Sequence, residues 1–214
     1  LYASERGPKD PLVVAGGPCA FNPEPLAPFF DCFLIGEGEE GLIDFLELVR
    51  LHKQKHNGAV VRGEFYLQAL QIPGIYVPSF YSFKYAEDGT VVDAEVKPPA
   101  PVTIKKRVVK NFEQAFYPEN PIVANLEPVH DRIMLEVARG CARGCRFCQA
   151  GVIYRPVREK GKDILVQQAE RLAESTGHSE ISLVSLSTAD YSAVVPLAGE
   201  LADKMSSRGV RSEE

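Results

Sequence analysis

Three of the five cysteines in this sequence fall within eight residues, in Arg139-Gly-Cys141-Ala-Arg-Gly-Cys145-Arg-Phe-Cys148-Gln-Ala-Gly151. Thiolates separated by three and then two residues can wrap one polynuclear iron-sulfur cluster, because Gly140 and Gly144 permit tight or left-handed turns. Three protein ligands leave one metal position without a protein donor. Such an open position separates a reactive metal site from a closed structural one. The competing chemistry is a zinc site completed by His130 or His178. Zinc modules usually pair two short cysteine or histidine hairpins, and the sequence has no second one. A redox dithiol would leave the third cysteine idle. Cys19 and Cys32 lie apart in apolar surroundings and read as small core residues; the odd, uneven set is no disulfide framework.

The elements around the loop must hold it. Ile133 to Ala138 reads as a strand entering the loop. After it, Ile164, Leu165, Gln168, Ala169, Leu172 and Ala173 line one face of a helix that stops at Gly177. A strand over Ile181 to Leu186 follows, then a helix with Val194, Leu197, Ala198, Leu201 and Met205 on one side, ending near Gly209. Two strand-helix units open a parallel barrel or an open parallel sheet, and a full barrel needs about 250 residues, so the expectation is its first part. Upstream, Pro11 to Cys19 and Cys32 to Ile35 read as buried strands. Leu42, Phe45, Leu46 and Val49 then recur at helical spacing. His52 and His56, one turn apart among lysines, are expected at the surface. Ala59 to Lys110 reads as β-rich, with a hairpin turning at Ala86 to Gly89 and an exposed, extended Pro98 to Pro101.

Composition is that of a globular protein, 45% hydrophobic and 25% charged. A net charge of -5 excludes a surface that is wholly an electrostatic trap for nucleic acid. Locally the balance reverses: Arg132, Arg139, Arg143, Arg146, Arg155, Arg158, Lys160 and Lys162 face only Glu136 and Glu159. Such cations would raise a cluster's reduction potential or hold an anionic substrate, RNA included. No run approaches the roughly 20 apolar residues of a membrane span, and no signal-peptide pattern opens the chain, so a cytoplasmic location is expected. No serine-histidine-acid set or phosphate loop is present.

Cys141-x-x-x-Cys145-x-x-Cys148, with the aromatic Phe147 before the last cysteine, resembles the signature of the radical S-adenosylmethionine (SAM) superfamily. The resemblance implies that Cys141, Cys145 and Cys148 ligate a 4Fe-4S cluster whose open iron is chelated by SAM. Electron transfer would then release a 5'-deoxyadenosyl radical. It also implies Phe147 beside the adenine, and Ser187, Thr188 and Asp190, after the next strand, near the methionyl amino end. An electron donor such as flavodoxin or ferredoxin is implied, acting toward an unspecified substrate, RNA or a small anionic molecule. Val14 to Pro25 and Phe33 to Glu40 are similar to the end of a cobalamin-binding domain. Ile75-Tyr-Val-Pro-Ser-Phe80 and Val129-His-Asp-Arg132 resemble a bacterial family of cobalamin-domain radical SAM proteins. Cobalamin is thereby a candidate cofactor, although the Asp-x-His-x-x-Gly loop that carries cobalt's lower ligand in some relatives does not occur here. The expected fold is α/β: the C-terminal part of a Rossmann-like cobalamin-binding-type domain (1–56), a β-rich connector (57–124), and the first strand-helix units of a partial, TIM-like radical SAM barrel (125–214). Such a fragment is expected to be inactive alone. The rival expectation is an RNA- or protein-binding module stapled by zinc or an iron-sulfur cluster.

Overall fold

A computed structural model describes residues 1–126, 128–206 and 211–212. The chain is mixed α/β and divides into two compact units, Leu1–Val109 and Lys110–Glu214.

In the first unit, β1 (Val14–Ala15) and β2 (Cys32–Leu34) run parallel, and after α1 (Gly38–Lys55) and α2 (Arg62–Ala69) the chain returns as β3 (Ile75–Tyr76), antiparallel to β2. Glu39 and Glu40 in the first turn of α1 and Lys53 and Lys55 in its last suit the helix dipole. Phe45 of α1 and Phe65 of α2 meet edge to face, 5.6 Å between centroids, over Cys32, Leu34 and Ile75. The hairpin β4 (Tyr81–Tyr85) and β5 (Val91–Val96) turns where expected, with Gly89 N–H donating to the Ala86 carbonyl.

Two expectations fail here. The stretch read as β-rich opens with α2, a two-turn helix whose apolar positions Phe65 and Ala69 are four apart, too few to register as a period against the aromatic strands that follow. Pro98 to Pro101 is a turn, not an extended run: Ala100 N–H donates to the Lys97 carbonyl.

One buried carboxylate gathers the N-terminal segment. Asp31, with a side chain 0% exposed, accepts from Arg6, Arg62, the Tyr66 hydroxyl (2.5 Å) and the Val13 N–H (2.8 Å). Burial alone would raise its pKa, but the Tyr66 hydroxyl, the Val13 N–H and the two guanidiniums outweigh burial and hold it below the usual carboxylate value.

The second unit has β6 (Ile133–Glu136), β7 (Ala138–Arg139), α3 (Ala150–Ile153), β8 (Arg158–Glu159), α4 (Lys162–Thr176), β9 (Glu180–Val184), α5 (Val194–Ser206) and β10 (Arg211–Ser212). Strands β10, β9 and β6 lie side by side, all parallel, with α4 and α5 in the connections. Leu165, Ala169 and Leu172 of α4 and Leu197, Leu201 and Met205 of α5 form one core with Ile133, Leu135 and Ile181. Gly177, at φ +71°, ends α4 as expected. The helix end foreseen near Gly209 lies outside the described residues. The strand foreseen over Ile133 to Ala138 changes partner midway. Val137 N–H donates to the carbonyl of Val184, the last residue of β9, while its own carbonyl accepts from Lys160 just beyond β8, so β7 leaves the parallel sheet and pairs antiparallel with β8.

Replacing Asp31 with asparagine leaves Arg6 and Arg62 without their counter-charge and is expected to cost about 3 kcal/mol in urea unfolding. Because the folded pKa is depressed, the Asp31 contribution is complete above the unfolded value of about 3.9 and is lost as pH falls through the folded value. The gap between wild type and Asp31→Asn should therefore narrow below about pH 4; a gap that is constant with pH contradicts the account.

Candidate functional site

The cysteine loop begins where β7 ends. Glu136 and Arg139 pair through two bonds of 2.9 Å, and the Arg139 guanidinium lies 4.8 Å above the Phe112 ring, so the strand end is clamped on both sides. Gly140 then turns at φ +93°. A Cβ there would stand 2.8 Å from the carbonyl oxygens of both Tyr154 and Pro156. The segment between α3 and β8 thus closes on the loop at a point that tolerates no side chain. Gly144 turns at φ +65° with open space around it.

Cys141 and Cys148 are half-buried and Cys145 is exposed. Cys148 N–H donates to the Cys145 carbonyl (3.1 Å), and Arg143 N–H approaches the Cys141 Sγ at 3.5 Å. The three sulfurs do not all lie within 4.8 Å of one another. A zinc ion with bonds of about 2.3 Å would need thiolates about 3.8 Å apart. Ligands of a cubane stand farther apart because each binds a different iron. Three thiolates can each bind a different iron, so the chemistry of the donor set suits a cluster.

Beside the loop lies a cavity of about 270 Å³ lined by Cys141, Arg143, Glu159, Ser187, Asp190 and Tyr191, among others. The Arg143 guanidinium forks onto Asp190, with Nε to Oδ2 at 2.6 Å, and the Ser187 hydroxyl donates to the same carboxylate at 2.7 Å. Arg143 first, then Ser187, lowers the Asp190 pKa, and Arg143 is raised in turn. The guanidinium also lies within electrostatic range of the Cys141 and Cys145 sulfurs.

Of the residues singled out from sequence, the structure brings Cys141, Ser187 and Asp190 to one cavity. Thr188 lies in the 3-10 turn Thr188–Asp190, its hydroxyl 3.1 Å from that of Ser185 and outside the lining. Phe147 points outward, 92% exposed. Sequence reasoning missed the Arg143 pairing, Glu159 and Tyr191. Nothing in a linear reading links positions 47 apart.

Several expectations are corrected. Cys32 is buried as expected, and burial with the neighbouring Asp31 pushes its thiol pKa up, so it is an inert core group; the other readings change. Cys19 is exposed, because the 3-10 turn Pro18–Phe21 buries Ala20 in its place. The basic run is less naked in space than along the chain: Arg132, Arg139, Arg143 and Lys162 face Glu180, Glu136, Asp190 and Glu200, and Lys160 is buried against the Phe112 and Tyr117 rings. His52 is not a surface residue. It is 2% exposed, its Nε2 accepts from Val61 N–H at 3.1 Å, and its Nδ1 meets Gln68 at 3.3 Å. His52, His56 and Glu64 come within ion-binding distance of one another, yet both His52 nitrogens already have partners.

The glycines at the strand ends of the first unit serve the chain itself. Gly36, at φ +115°, and Gly74 make room for the Arg107 backbone, which a Cβ at Gly36 would meet at 2.2 Å. No helix among the described residues is long and apolar enough to cross a membrane.

Residues 1–78 match the family described as radical SAM proteins, N-terminal. The match places residues 1–78, about a third of the chain, in that family. It is 30% identical over 193 residues to the uncharacterized protein MJ0966 of Methanocaldococcus jannaschii, an alignment covering 90% of this chain and 35% of that protein. The chain thus spans about a third of that relative's length. It is also similar to a solved radical S-adenosylmethionine methyltransferase, TsrM, from Kitasatospora setae, with tryptophan and a SAM analogue bound. The match has 15% identity and a TM-score of 0.48 over 93% of this chain and 35% of the other. At that score the likeness bears on neither fold nor function.

Gly140→Ala is expected to cost about 3 kcal/mol, combining backbone strain with the clash, whereas Gly144→Ala should cost about 1 kcal/mol from backbone strain alone. Urea unfolding of both variants checks this. Equal costs contradict the packing assigned to Gly140.

Proposed function

We propose that this protein is a radical SAM enzyme in which Cys141, Cys145 and Cys148 hold a 4Fe-4S cluster, with one iron left for SAM. The observation that carries the reading is a three-thiol loop at the end of a parallel sheet, with Cys141 bordering a cavity that Arg143, Ser187 and Asp190 also line. When bound, the reduced cluster supplies the electron that cleaves SAM to methionine and a 5'-deoxyadenosyl radical.

The chain's own residues do the positioning. Gly140 and the Glu136–Arg139 clamp aim the loop away from the sheet. Ser187 and Asp190 offer polar groups where the methionyl amino end would lie, and the exposed Phe147 ring offers a face to adenine. In this reading 125–214 opens a barrel of the superfamily's kind, 57–124 connects, and 1–56 is the end of a cobalamin-binding-type domain. Cobalamin is not assigned a role in it, since the Asp-x-His-x-x-Gly loop does not occur in this sequence. An electron donor such as flavodoxin or ferredoxin completes the system in a reducing, cytoplasmic setting; the substrate is RNA or a small anionic molecule.

Anaerobic iron and sulfide reconstitution tests the proposal. Wild type should take up about four irons per chain and give the visible and electron paramagnetic resonance spectra of a cubane. Cys141→Ala, Cys145→Ala and Cys148→Ala should each lose most of that iron. Equal uptake by wild type and Cys145→Ala, with no cubane signal, would sink the idea. In the longer protein, dithionite and SAM should yield deoxyadenosine; a cluster that only staples a binding module would yield none.

A further inference from the structure

Arg143 occupies the gap between the first two cysteines, on a part of the loop where Gly144 has open space around it. Its guanidinium reaches across to the 3-10 turn after β9 and engages both oxygens of Asp190, and Ser187 steadies that carboxylate from its own turn. The pair borders the cavity that Cys141 also lines.

We propose that Asp190 is a positioning residue: through Arg143 it ties the cysteine loop to the end of β9, fixes the spread of the thiols before iron arrives, and neutralises one cation beside them. The proposal rests on the cluster reading above. An exposed ion pair adds little to global stability, but a forked arginine-carboxylate contact restricts geometry. What this one sets is a position. Because Arg143 N–H approaches the Cys141 Sγ, displacing Arg143 also displaces a donor to a cluster ligand. Hydrogen bonds to sulfur and local net charge both tune a cluster's potential.

Asp190→Asn keeps the side-chain shape and removes the ionic partner. In the metal-free protein, hydrogen exchange across 140–148 should rise about two- to five-fold, with α4 and the β6–β9 ladder unchanged. After anaerobic reconstitution, the variant's cluster should have a higher midpoint potential than wild type, since the Arg143 charge is no longer offset, and Asp190→Glu should bring it back toward wild type. A purely structural role would not move the potential. Unchanged loop exchange, or an unchanged potential, overturns the proposal. If wild type assembles no cluster at all, the cluster reading fails instead, and the exchange result alone decides whether Asp190 ties the loop.

Discussion

At Gly140 the backbone passes so close to the carbonyls of Tyr154 and Pro156 that no side chain fits, and the left-handed turn made there directs the thiol loop. The approach is possible because Val137 divides its hydrogen bonds between two neighbours. With its N–H it continues the parallel sheet, and with its carbonyl it hands the chain to β8. Strands β7 and β8 then form a short antiparallel lip, and the residues between α3 and β8 fold over the loop's root. The root of the loop is fixed by this packing, and the Arg143–Asp190 fork holds it farther out.

Much of this was legible before any coordinates. The cysteine spacing, the apolar face of α4, its stop at Gly177 and the hairpin at Ala86 to Gly89 all depend on neighbours a few residues apart, and such patterns survive in a linear reading. What escaped depends on distant partners. Whether Cys19 or Ala20 faces inward in a tight turn, or whether His52 is taken up by Val61 and Gln68, is decided by packing. The fork between Arg143 and Asp190 has no local trace. The eight cations around the loop were countable in sequence, but their acidic partners Asp190, Glu200 and Glu180 come from other elements.

The first unit shows the same division between local pattern and tertiary placement. Phe33 to Glu40, similar in sequence to the end of a cobalamin-binding domain, contains a glycine, Gly36, that permits close approach of another group. In the fold, the close approach is made by the Arg107 backbone, while its side chain reaches Glu40 and Asp44. Asp31 plays the organising part there: one buried carboxylate, four donors, and three chain segments brought together. Neither feature marks a ligand site. Together they hold the first unit's own segments in place.

The central claim is that three thiols bind three corners of a cubane and leave the fourth to SAM. Mössbauer spectra of the anaerobically reconstituted protein, recorded before and after adding SAM, test it most directly. The account predicts that one iron site changes its isomer shift on SAM addition while the others keep theirs. A spectrum with no cubane, or one in which SAM alters no site, contradicts it.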